Sequence, residues 1–443
     1  MTNARRDGLY LVLLGCAVFV LIGSALENAV PVTAADFRVV YYSARCLLEH
    51  RDPYNENEMR YTYRVDGGET ANDTPTLRRT ETQYIYFPSA FPLTVPFAVF
   101  PFGPAHILWL AFTAGTLILG AILMWDVGAS YAPVLTGALV GLLLANCELF
   151  LAVGNPGGIA IGLCVIAAWC FIRERWVPAG VICMALSLML KPQDSGLIWV
   201  YFLLAGGANR KRAIQTLVVI IGLSLPATLW LSHTAPNWAN ELHTNLFANS
   251  AHGDLSDPGP TSSAGHGIGM MIDLQTVASV FRDDPRFYNP VAYLVAGSLI
   301  LIWIIRTIRV QYSQRIAWFA LAPIAALSML PVYHRLYDAK VLLLAIPACA
   351  MLWVRGGAIA WIAFLLNGAA ILLTGGFPWA IFFSVIKHLP LPTNSLTNTI
   401  LMVLQVFPVP LTLLAFGGFF LYIYVLKDKM LNDVLEGEIQ KES

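Results

Sequence analysis

The chain of 443 residues is 57% hydrophobic and only 12% charged, against about 45–50% and about 25% in ordinary soluble domains. Its 27 Lys and Arg are balanced by 27 Asp and Glu, for a formal net charge of +0, so the basic excess of a nucleic-acid binder is missing. A soluble globular domain and a nucleic-acid partner are thereby excluded, and a bilayer is the expected solvent.

Twelve apolar runs approach the roughly 20 residues, range about 17–25, that cross a bilayer: 9–26, 105–125, 133–152, 158–172, 177–190, 195–204, 213–231, 291–308, 316–331, 339–353, 358–374 and 399–426. The three between 158 and 204 are short, so they tilt, break at Pro192 or count as fewer helices. The expectation is an all-α polytopic membrane protein with about 10–12 transmembrane helices. Of the seven cysteines only Cys46 lies outside an apolar run, which argues against a disulfide framework and a cysteine zinc site.

Arg5 and Arg6 before the first run give the outline of a signal peptide, but Leu26-Glu27-Asn28 lacks the small residues of a cleavage site, favouring an uncleaved helix. With these arginines placed inside and the spans alternating, the inner short loops carry thirteen Lys and Arg. The outer short segments carry four, Lys191, Arg335, Lys340 and Lys387. By the positive-inside rule both termini are cytoplasmic. Two long polar loops, 27–104 and 232–290, then face outward from a single transmembrane domain, 1–430, that ends in a polar cytoplasmic tail, 431–443. No internal repeat is found, which counts against inverted-repeat transporters.

In the first outer loop Phe37, Val40, Tyr41, Ala44, Leu47 and Leu48 recur at helical spacing, predicting an amphipathic helix on the outer membrane surface. Thr33-Ala34-Ala35-Asp36 has the spacing of a capping box. Asp36 therefore either holds the helix start or serves as a general base toward a substrate hydroxyl. Asp52-Pro53-Tyr54 ends the helix, a polar insert follows at 65–83, and Tyr84-Ile85-Tyr86-Phe87-Pro88 leads into Pro92, Pro96, Pro101 and Pro104. Prolines at that interval oppose a spanning helix, so 88–102 is expected as an interfacial or re-entrant segment. It forms either a lid over the bundle or a lining for a lipid chain.

Further on, ionisable residues interrupt apolar sequence at Glu148, at Lys191 and Asp194 around Pro192, and at Tyr333-His334-Arg335 with Asp338. Such residues are costly in a membrane and are candidates for function. Lys191, His334 and Arg335 are candidates to contact a phosphate or an acceptor; the alternative is that Lys191 and Arg335 snorkel to headgroups and His334 satisfies a local bond. Glu148 reads equally as a buried polar partner or an active-site contact. In the second loop His252, Asp254, Asp257 and His266 lack any recognised ligand spacing, so no metal site is expected. Gly265-His266-Gly267-Ile268-Gly269 lacks the Gly-Lys-Ser/Thr of a phosphate loop, which disfavours a nucleotide-sugar donor.

Asp36-Phe37-Arg38-Val39-Val40-Tyr41-Tyr42, Asp52-Pro53-Tyr54, Tyr84-Ile85-Tyr86-Phe87-Pro88, Gly154-Asn155-Pro156-Gly157, Leu190-Lys191-Pro192 and Tyr337-Asp338 follow one another in an order that resembles glycosyltransferase family 87. This family of polyprenol-phosphate-mannose-dependent mannosyltransferases has the GT-C fold. The sequence departs from the usual pattern at Phe87, at Asn155 and in the insert 65–83. The resemblance implies an inverting transfer, on the outer face of the plasma (inner) membrane, of a sugar from a polyprenyl-phosphate donor to an acceptor hydroxyl. Mannose is the family default, and the acceptor an envelope glycolipid or glycan. It implies that Asp36 is the catalytic base, and that donor-phosphate or acceptor contacts are drawn from Lys191, His334, Arg335, Asp338, Tyr41, Tyr86, Asn155 and Glu148. No cofactor is expected, although relatives differ in their use of a divalent metal. The rival reading is a polytopic transporter or lipid flippase, which would gather its ionisable residues near the bilayer midplane.

Overall fold

A computed structural model of the protein describes residues 2–29, 34–66, 82–254, 256–259, 271–389 and 395–426. Thr33, most of the 65–83 insert, His266 with the glycine-rich run 265–269, Lys427, Lys429 and the tail 431–443 lie outside the described residues. Among those described, the secondary structure is helical apart from one isolated bridge, Met271 to Arg335.

The first helix is α1 (Asn3–Ala29), and the first long loop contains α2 (Ala35–Leu48), α3 (Glu56–Val65), a 3-10 turn (Pro88–Ala90) and α4 (Phe91–Ala98). The bundle continues with α5 (Phe102–Ala129), α6 (Pro133–Ala145), α7 (Glu148–Val153), α8 (Gly157–Arg173), α9 (Val177–Leu190), α10 (Pro192–Leu204) and α11 (Gly207–Thr234). The second long loop holds α12 (Trp238–Asn249) and α13 (Leu274–Ser279). The remainder comprises α14 (Pro285–Arg309), α15 (Gln314–Leu327), a long 3-10 segment (Leu336–Ala345), α16 (Ile346–Arg355), α17 (Gly357–Leu373), α18 (Gly376–His388), α19 (Ser395–Val406) and α20 (Pro408–Leu426).

All twelve apolar runs are helical, and they differ in length. Among the described residues seven helices are long and apolar enough to cross a membrane, or eight if α17 and α18, bent by 63°, form one broken span. Three further apolar helices, α8, α9 and α15, are shorter. The physical reason is burial: α8 is buried along Gly157–Ile172, so it needs no lipid-facing length, whereas only 17% of the α11 window and 22% of the α14 window are buried. The break expected at Pro192 is present. Lys191 leaves helical geometry at φ −149°, and Pro192 occupies the first turn of α10, where its missing N–H costs nothing.

Polar contacts agree with the alternation of spans. Arg5 at the start of α1 meets Asp126 at the end of α5 at 2.7 Å, and Arg212 reaches Glu174 at 3.0 Å. Glu27 and His106, 3.1 Å apart, meet at the other ends of α1 and α5. Small residues bring α1 against α6: a Cβ on Gly15 would sit 2.3 Å from the Gly141 carbonyl oxygen, the close backbone approach on which helix pairing in lipid relies.

One expectation for the first long loop needs correcting. The helix over the Phe37–Leu48 pattern forms, but it does not lie on a surface with one face free. Val39, Tyr42, Ser43 and Cys46 are buried along with Phe37, Val40, Tyr41, Ala44 and Leu47, because α3, α4 and α5 cover it. The proline-rich stretch is more regular than its composition suggests: Pro88 starts the 3-10 turn, Pro92 lies in the first turn of α4, and Pro96 is inside it. Eight residues make too short a helix to span.

Lys340, counted above among the outer loop cations, is only 1% exposed. It lies in the 3-10 segment and donates to the Thr374 carbonyl at 2.7 Å.

Candidate active site

Between the two long loops and the ends of α9, α14 and the 3-10 segment lies a cavity of about 800 Å³, within the range of small-molecule sites. Asp36, Tyr86, Asn155, Lys191, Arg335 and Tyr337 are among its lining residues. The loops are tied across it by Asn245 of α12, whose amide donates to the Tyr54 carbonyl at 2.9 Å and the Tyr84 carbonyl at 3.1 Å. Tyr54 in turn donates to the Tyr86 carbonyl at 2.8 Å.

Asp36 stands in the first turn of α2, whose N-cap, Ala34, is left-handed at φ 53° and makes no side-chain cap bond. Its Oδ2 accepts from Asn155 Nδ2 at 2.6 Å. Asn155 is held in the turn between α7 and α8: its Oδ1 accepts from the Gly157 amide at 2.7 Å, and its Nδ2 also donates to the Tyr337 hydroxyl at 3.1 Å. Gly154 makes this turn at φ +66°, where a Cβ would lie 2.7 Å from the Cβ of Phe37. The turn thus aims an amide at the carboxylate while letting α2 close on α7. Burial pushes the Asp36 pKa above its ordinary value, while the Asn155 bond and the nearby Arg335 and Lys191 charges pull it down. A carboxylate that is desolvated yet held in orientation has the properties of a general base.

Lys191, 6% exposed, ends α9 and is enclosed by acids. Its Nζ donates to Asp338 Oδ1 and lies 3.4 Å from Asp194 Oδ2. Asp338 also caps the 3-10 segment, accepting from the Arg335 amide at 2.9 Å. Behind them His334, fully buried, sits with Nε2 3.5 Å from Asp194 Oδ1 and Nδ1 2.9 Å from the Val332 carbonyl. Burial works against a charged imidazole there, but the hydrogen bond and charge of Asp194 together with the charge of Asp338 raise the His334 pKa. The Arg335 guanidinium donates to the Tyr333 hydroxyl, lies 5.7 Å over that ring and lines the cavity.

The structure therefore brings Asp36, Tyr86, Asn155, Lys191 and Arg335 to one cavity and sets Asp338 and His334 directly behind it. Tyr41 is elsewhere, buried within α2 with its hydroxyl donating to the Phe100 carbonyl at 2.9 Å. Glu148 is also elsewhere: it is buried at the start of α7, where a Cβ on Gly376 would lie 2.7 Å from its Oε1, and it feels the charge of Lys340.

The sequence reading names Tyr333, Tyr337 and Asp194 in its motifs without assigning them contacts, and it misses Gln275 and Asn289 of the second loop, for which no sequence signal exists. Gly157 is also essential to the geometry, because a Cβ there would lie 2.8 Å from Asn155 Oδ1 and 3.1 Å from both Asp338 Oδ1 and Lys191 Nζ.

Among the described residues one set could hold a metal ion, and it joins His252 and Asp257 of the sequence group to Asp283, which that group did not include. His252 lies 3.1 Å from Asp257 and 3.6 Å from Asp283, and one ligand atom from each lies within 4.8 Å of the others. Asp257 is further anchored by the Gly253 amide at 2.7 Å and the Tyr288 hydroxyl at 3.3 Å.

Comparison with protein families finds that the model of glycosyltransferase family 87 matches residues 84–330. That segment contains Tyr86, Glu148, Asn155 and Lys191, whereas Asp36 and His334 through Asp338 lie outside it. No curated protein and no solved structure matches the chain.

Proposed function

Because the chain belongs to glycosyltransferase family 87, whose model covers more than half of it, we propose that this membrane glycosyltransferase uses a polyprenyl-phosphate sugar, with mannose the default. The acceptor is a hydroxyl of an envelope glycolipid or glycan. The observation that carries this reading is the Asp36 carboxylate, held by Asn155 at 2.6 Å in a cavity that also presents Arg335. A base for the acceptor and a cation for a departing phosphate are what direct displacement requires.

In the proposed step the acceptor oxygen gives its proton to Asp36 and attacks the anomeric carbon. The bond from that carbon to the phosphate oxygen breaks, and the lipid phosphate leaves with the electron pair. Configuration inverts. Arg335, forked and permanently charged, suits the phosphate, with Tyr333 orienting it. Lys191 acts differently from a simple phosphate clamp, since two carboxylates already oppose its charge; it positions the segment bearing Arg335. In this reading the cavity opens on the outer face of the plasma membrane and both termini are cytoplasmic, supported by the thirteen-to-four distribution of loop cations. With Lys340 recognised as buried, the asymmetry only sharpens. Among the described residues the ionisable set around Lys191 collects at one helix-end region, and neither this nor the family favours the transporter reading.

The test incubates purified protein with radiolabelled polyprenyl-phosphate sugars and an envelope lipid extract. Label should pass to an extractable acceptor with the wild type and fail to with Asp36→Asn. Transfer from a nucleotide sugar instead would overturn the donor assignment.

A further inference from the structure

The cavity wall contributed by the second long loop has a chemistry different from the wall around Asp36. Gln275 of α13 and Asn289 in the first turns of α14 both line the cavity, and Gln275 Nε2 donates to Asn289 Oδ1. Two primary amides joined by one such bond keep one carbonyl oxygen and one NH2 group for a third partner, here Gln275 Oε1 and Asn289 Nδ2. The balance survives exchange of oxygen and nitrogen in both amides. A sugar hydroxyl both donates and accepts, so adjacent hydroxyls match this pair. Among the described residues, the charged groups lining the cavity are Asp36, Lys191 and Arg335, and Lys191 is opposed by Asp194 and Asp338. Among the described residues, those of the second loop that line the cavity carry no charged side chain.

We propose that the Gln275–Asn289 amide pair is the subsite that holds the acceptor's hydroxyls, and that the acceptor's reacting end is an uncharged sugar or polyol. This rests on the glycosyltransfer reading above. The pair belongs to elements fixed independently of Asp36. Asp273 caps α13, accepting from the Thr276 amide at 2.9 Å, and the Ile272 amide donates to the His334 carbonyl at 3.0 Å. The subsite is therefore held in register with the segment bearing Arg335.

The experiment uses full-length protein in nanodiscs, polyprenyl-phosphate mannose as donor, and octyl mannoside or octyl glucuronide as acceptor probe. Wild type should prefer the neutral glycoside. Gln275→Leu and Asn289→Leu should each raise its KM about tenfold, the usual scale for one lost substrate hydrogen bond, with the donor KM and the melting temperature unchanged. Transfer with an unchanged acceptor KM in both variants, or equal use of the uronide, would overturn the subsite while leaving glycosyl transfer intact. If wild type transfers to neither probe, saturation-transfer NMR of octyl mannoside decides. Ring-proton signals that vanish in both variants support the subsite, and signals that persist in them overturn it. Absence of transfer from any donor to any acceptor in the envelope extract would instead count against the donor reading.

Discussion

Two buried lysine–carboxylate regions occur at helix breaks in this protein, and they behave differently. At the break between α9 and α10, Lys191 is in contact with Asp194 and Asp338 and lines the cavity. At the break between α17 and α18, Lys340 is 1% exposed and donates to the Thr374 carbonyl, while Glu148 rests on Gly376 at the first turn of α18. The second arrangement is closed. Its lysine satisfies a carbonyl that the bend leaves without a helical partner, and its carboxylate sits where the helix dipole favours negative charge. A buried ion at a helix break is therefore not by itself a site; an adjoining cavity and an oriented base distinguish the first from the second.

The strongest way to break this comparison is to remove the base. Asp36→Asn should lower transfer by about 10²–10⁴-fold at unchanged expression and donor KM, measured as initial rates in detergent. Asp36→Glu should recover little, because misplacement by about an ångström can cost about 10²-fold. A near wild-type rate for the Asn variant would make Asp36 a helix-start residue and shift attention to Asp338.

Next in size is Lys191→Met. Removing the cation takes from Asp194 and Asp338 the lysine that both carboxylates face, and breaking a buried pair in this way costs about 3–5 kcal/mol. The expected result is a large drop in melting temperature, with Lys191→Met/Asp338→Asn recovering stability without activity. A stable but donor-impaired single variant would instead make Lys191 a direct phosphate contact.

Gly157→Ala tests the same region through packing. Its Cβ would press on Asn155, Asp338 and Lys191 together, and overpacking of this kind costs about 1–3 kcal/mol. The rate of transfer should fall with it, since Asn155 orients Asp36. Glu148→Gln, at the closed region, should leave the transfer rate at the wild-type level and lower the melting temperature less than Lys191→Met does. A loss of transfer there would erase the distinction between the two regions.

The smallest expected effect is a shift in pH profile. Burial raises the Asp36 pKa, and only the ionised form accepts a proton. Activity should therefore fall, as pH decreases, at a pH above the ordinary carboxylate value of about 3.9. Asn155→Leu removes a bond that pulls this pKa down, so the acidic limb should move to higher pH. For stability the sign is opposite. The folded protein holds the Asp36 proton more tightly than the unfolded chain, so this contribution favours the fold below the ordinary pKa and is lost as pH rises through the raised one.

Much of this was legible from local pattern. Apolar runs located the helices because a segment in lipid must satisfy its own backbone and face its surroundings with apolar side chains. Prolines and ionisable residues located the breaks, and the order of short motifs, Asp36-Phe37-Arg38 through Tyr337-Asp338, pointed to the family. Pattern failed where partners came from distant sequence. The α2 stripe suggested a surface helix, yet α3, α4 and α5 bury its other face as well. His252 and Asp257 find Asp283 as their neighbour, and Asp254 and His266 are not needed to explain the contact.

The sequence by itself determined that this is a polytopic helical membrane protein, which segments are helical and which ionisable residues interrupt them, since these depend on composition and on periodicity along the chain. Only the tertiary structure decided which of those residues share a cavity. Asn155 meets Asp36 across 119 positions and Lys191 meets Asp338 across 147, whereas Glu148, equally conspicuous in sequence, is sealed against Gly376. Helix formation is set by each residue's near neighbours, but a charge becomes structural or chemical according to what packs against it from elsewhere and whether a substrate can reach it.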